Sequence, residues 1–86
     1  MRAMDPEGTL QLARAGSHNI RFKDALALAE AFGFRLARVR GSHHILAHPE
    51  VRELVNLQEV GGKAKPYQLR QLLRLTERYN LLLRDS

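Results

Sequence analysis

The chain has 86 residues, is 44% hydrophobic and carries no cysteine. That fits one small domain and excludes disulfides, thiolate metal sites and cysteine nucleophiles. No apolar run approaches the roughly 18–20 residues of a membrane span, and the N-terminus lacks the apolar stretch of a signal peptide, so a cytoplasmic location is expected. Fourteen Lys+Arg against nine Asp+Glu leave a formal charge of +5, which favours a polyanionic partner such as nucleic acid.

Residues 1–18 read as a flexible N-terminal tail. They contain Pro6, Gly8 and Gly16 and no sustained periodicity. Gly16-Ser17-His18 resembles the scar of an expression tag. The charges of the tail cancel, Arg2 and Arg14 against Asp5 and Glu7, so the whole excess falls in residues 19–86, the expected folded domain. There Phe22, Ala25, Leu26, Ala29 and Phe32 make one helical stripe, and Gly33 supplies a left-handed stop, placing a helix over 22–32.

Three extended segments follow. Residues 34–40 and 42–48 meet at Gly41 and suit an antiparallel hairpin; residues 54–58 make a third strand after a loop over 49–53. Residues 61–65 read as a flexible basic loop. Pro66 suits the first position of a helix, where its missing N–H has no intrahelical partner. Leu69, Leu72, Leu73, Thr76, Tyr79 and Leu83 form the core stripe of that helix to about residue 83, with Arg70, Arg74 and Arg78 opposite. The expected fold is α+β: a small α-β-β-β-α sandwich, a three-stranded antiparallel sheet with two helices on one face.

The chemistry-bearing segment is Arg40-Gly41-Ser42-His43-His44. Histidine alone among side chains ionises near neutrality when unperturbed, so it serves as acid or base. Gly41 lets a substrate approach, Ser42 can fix the turn or donate to a phosphate, and Arg35, Arg38 and Arg40 can hold one. On a strand His43 and His44 point to opposite faces, so one of them at most meets a given ligand. No metal site is expected: His44 and His48 share a strand face but lie roughly 13 Å apart. A serine triad through Ser42 lacks its strand-to-helix elbow. Lys63 and Lys65 precede a helix N-terminus and can contact phosphate, with Arg70 as a secondary backbone contact. Tyr67 could stack on a base, although packing is its commoner use.

Gly33-Phe34, Arg38, Gly41-Ser42-His43-His44 and His48-Pro49 together resemble the signature of HicA-type toxins of bacterial toxin–antitoxin systems. The resemblance runs from about Asn19 to the C-terminus and is strongest over 33–49. It implies a fold like the double-stranded RNA-binding domain and an mRNA-cleaving toxin neutralised by a HicB-type antitoxin. The family's catalytic histidine falls on His43, with Gly41, Ser42 and His44 as its neighbours. Residues 57–68, by contrast, are longer than the third strand and connection many members carry. The expected activity is metal-independent and cofactor-free RNA cleavage. The alternatives are a non-catalytic RNA-binding module of the same fold, or a protein-interaction domain whose positive face meets an acidic partner.

Overall fold

The computed structural model describes residues 5–84. In chain order these are α1 (Pro6–Arg14), α2 (Phe22–Ala31), β1 (Arg35–Arg40), β2 (His43–His48), β3 (Val51–Val60), β4 (Lys63–Ala64) and α3 (Pro66–Arg78). The strands form one antiparallel sheet in the order β1-β2-β3-β4. The helix–three strands–helix order is as expected, with one helix and one short strand added.

The added helix replaces most of the expected tail, whose first four residues lie outside the described ones. Asp5 caps it, its carboxylate accepting the Gly8 N–H at 2.9 Å, and Pro6 occupies the first turn, where it disrupts nothing. The Gly16 and Ser17 N–H groups bond back to the Ala13 and Leu12 carbonyls, both at 3.0 Å, and close the helix in a Schellman motif. Gly16 and Ser17, read as part of a tag scar, are thus the stop signal. Thr9, Leu10 and Ala13 are buried where α1 packs on α2 and α3.

The residues read as a flexible basic loop are a tight turn and a strand. Gly61 and Gly62 sit at φ 59° and 79°, a backbone that only glycine adopts freely, and reverse the chain so that Lys63 pairs with Val60. The far side of β4 is closed as well: Ala64 donates to the Ile20 carbonyl at 3.0 Å and Phe22, opening α2, donates to the Gly62 carbonyl at 2.9 Å. Where β4 ends, the buried Gln68 of α3 accepts the Gln58 N–H at 2.7 Å.

The core lies between one sheet face and the helices. Leu46, Val55 and Leu57 from the sheet meet Ala25, Leu28, Ala29, Leu69 and Leu72. The last helix stops at Arg78 rather than near residue 83, because Asn80 turns left-handed at φ 54° and the Leu81 N–H returns to the Thr76 carbonyl at 2.8 Å. Tyr79 ties this end to β3: its hydroxyl donates to Glu53 at 2.8 Å, and Arg78 pairs with the other Glu53 oxygen at 2.8 Å.

The Tyr79 hydrogen bond, Glu53's own backbone N–H and the Arg78 charge hold the Glu53 carboxyl below its ordinary value. A depressed carboxylate stabilises the fold above its unfolded value, and that contribution fades as pH falls through the folded one. Thermal melts of wild type and Glu53→Gln are therefore expected to differ at neutral pH and converge under acid. A gap that persists unchanged into acid would contradict the assignment.

Candidate active site

The alternation of β2 sorts its residues onto two faces. His44, Leu46 and His48 face the helices. Leu46 is fully buried, the His44 ring meets Phe22 edge-on at 4.7 Å, and His48 meets Phe34 in the same way at 5.2 Å. His48 accepts the Glu50 N–H on Nδ1 at 3.0 Å, while its Nε2 lies only 2.8 Å from where a Cβ on Gly33 would sit. Gly33, at φ 98°, is thus required both by its backbone and by the ring against it. Much of the recognisable pattern, Gly33-Phe34 with His48-Pro49, is packing.

His43, Ile45 and Ala47 lie on the opposite face, which no helix among the described residues covers. The next strand adds a partner. His43 Nδ1 is 3.2 Å from Asn56 Oδ1, and because a carboxamide oxygen only accepts, the ring nitrogen carries the proton and donates it. In the neutral ring Nε2 is then the nitrogen without a proton, and among the described residues it has no hydrogen-bond partner. Gln58 sits directly across from His43, its side-chain amide donating to Ser42 Oγ at 3.4 Å. His44, expected beside the site, is turned away from it, with Nδ1 donating to the Ser42 carbonyl at 3.4 Å.

The third contribution comes from β1. Residues 35, 38 and 40 do not share a strand period, so a regular strand would divide them between faces. The ladder instead steps by one residue between Leu36 and Arg38, leaving Ala37 unpaired. Arg35 then pairs with Ala47, Arg38 with Ile45 and Arg40 with His43. Cross-strand partners share a face, so all three guanidinium side chains border the open face that carries His43. Their strand is exposed along its length.

The remaining candidates lie elsewhere. Gly41, at φ 55°, and Ser42 form the turn that starts β2. Lys63 is engaged by Asn19 through its ammonium group, and Lys65 lies 5.8 Å over the Tyr67 ring. Arg70 is on the exposed side of α3, in the helical layer behind the sheet. Among the described residues no group of three or more His, Asp or Glu could hold a metal ion, and no helix is long and apolar enough to cross a membrane. Asn56 went unremarked in the sequence, although its alternation with Val55 and Leu57 marks it as belonging to the uncovered face.

The neutral His43 ring, with its proton on Nδ1, thus carries a lone pair on Nε2, on the sheet face that a row of guanidinium groups borders. Neither the curated proteins nor the solved structures yield a match to the chain. Residues 22–77, from the first turn of α2 to the last turn of α3, match the family described as HicA toxin of bacterial toxin-antitoxin. With well over half its length so matched, and with the fold that accompanies it, the chain belongs to the HicA toxin family.

Proposed function

We propose that this toxin is a metal-independent endoribonuclease with His43 as its base, acting on mRNA in the cytoplasm and neutralised by a HicB-type antitoxin. The observation that carries the reading is the His43–Asn56 hydrogen bond, which in the neutral ring leaves Nε2 without a proton, on the sheet face that Arg38 and Arg40 border. RNA brings its own nucleophile. Nε2 takes the proton of a 2′-OH as that oxygen attacks the adjacent phosphorus, and the guanidinium groups stabilise charge gathering on the phosphoryl oxygens. The P–O5′ bond breaks, the 5′-oxygen takes a proton from solvent, and the products are a 2′,3′-cyclic phosphate and a 5′-OH end. Gly41 and Ser42 give the backbone approach beside the base. Lys63, Lys65 and Arg70 are left as contacts for outlying phosphates.

The test is cleavage of a labelled RNA in EDTA over about pH 5–9 by wild type and His43→Ala. Wild type is expected to leave cyclic-phosphate ends, and the variant to lose at least about 10²-fold in rate. A strand with deoxyribose at the cleavage position should survive, lacking the nucleophile. If both proteins shift the RNA and neither cuts, the chain is a non-catalytic RNA-binding module.

A further inference from the structure

The sheet has two outer strands and they are treated differently. The outer side of β4 is closed by backbone bonds to residues 20–22, whereas among the described residues no backbone bond reaches the outer side of β1. In an antiparallel edge strand alternate residues turn their N–H and C=O groups outward, so this exposed six-residue strand presents a row of free backbone groups along one edge. The two faces of this edge differ in chemistry. Arg35, Arg38 and Arg40 flank the open face, while Leu36 and Val39, on the helical side, remain 47% and 50% exposed because the helices pack over β3 and β4.

We propose that the free edge of β1 receives an added antiparallel strand from a partner protein, one that alternates acidic and aliphatic residues. Its carboxylates would lie across from the three arginines and its aliphatic side chains beside Leu36 and Val39, with backbone bonds completing the ladder. A second copy of this chain is the wrong occupant, since pairing β1 with β1 sets arginine against arginine. The charge that blocks self-association selects an acidic strand. Such a strand lies two strand spacings, about 9.6 Å, from β2 and takes the guanidinium groups nearest His43. In a toxin this is an inhibitory position, and that consequence rests on the nuclease reading. The docking itself does not.

The full chain, labelled with ¹⁵N, is titrated with a short synthetic peptide alternating Glu and Val. Amide shifts and slowed hydrogen exchange are expected along β1, together with intermolecular Hα–Hα contacts to it. Replacing every Glu by Gln, or Arg35, Arg38 and Arg40 by Gln, is expected to weaken binding about tenfold or more. The same peptide N-methylated along its backbone should not bind. No binding, binding spread over the open face without β1 protection, indifference to the Gln peptide, or a dimer built through β1 would each overturn the proposal. RNA cleavage is scored separately: docking at β1 by a chain that never cuts would sink the nuclease reading and leave the edge assignment standing.

Discussion

Leu10→Ala is expected to lower the unfolding free energy by about 2–4 kcal/mol, read by urea or thermal melts. Leu10 is 7% exposed and belongs to the same core cluster as Leu28 and Leu72. Truncating it removes apolar surface from that contact and leaves a cavity whose lining loses its dispersion partners. Domains of this size hold about 5–15 kcal/mol in all, and each kcal/mol moves the midpoint by about 4–8 °C, so the loss is plain in a melt. A flexible tail would give no change. The result therefore decides whether α1, which precedes the matched residues 22–77, is part of the folded unit.

Asn56→Leu is expected to cut RNA cleavage about 10–10²-fold with little effect on RNA binding. Without an acceptor for Nδ1–H, the ring is free to rotate and to place its proton on Nε2, where a base is needed. The loss should be smaller than the ~10⁴ seen when a buried, charged orienting group is removed, because Asn56 is neutral and half-buried. Asn56→Asp separates this role from a merely structural one. A carboxylate can only accept, so it keeps the tautomer and retains cleavage, while its charge favours the imidazolium and moves the acid limb of the pH–rate profile upward. In the His43→Ala background neither Asn56 change should matter further. Equal losses for Leu and Asp, with an unmoved profile, would remove Asn56 from the mechanism.

The legible parts of the sequence were those with a local cause. The 22–32 stripe, the turn at Gly41 and Pro66 at a helix start each carry their instruction within a few residues, and the opposed faces of His43 and His44 follow from the pleat alone. What escaped depends on distant partners. The nine residues of α1 hold only Thr9, Leu10 and Ala13 against the core and would not stay helical alone. The two residues of β4 are a strand only because Val60 and the segment around Arg21 flank them. Asn56 becomes a partner of His43 only once the β2–β3 register is set. Its polarity was visible, its neighbour was not.

The unpaired residue in β1 has a consequence for how such a chain can change. Ala37 is exposed, and its side chain is a single methyl group. Because the ladder skips it, Arg38 and Arg40 keep the face of Arg35; paired in regular register, Ala37 would shift everything after it by one residue and turn both arginines to the other face. The placement of the site's charge thus depends on the bulge and not on the side chain at its centre. Loss of that one residue would leave Arg35, Leu36, Arg38, Val39 and Arg40 in plain alternation, with the three arginines still across from Ala47, Ile45 and His43 in a ladder that has no bulge.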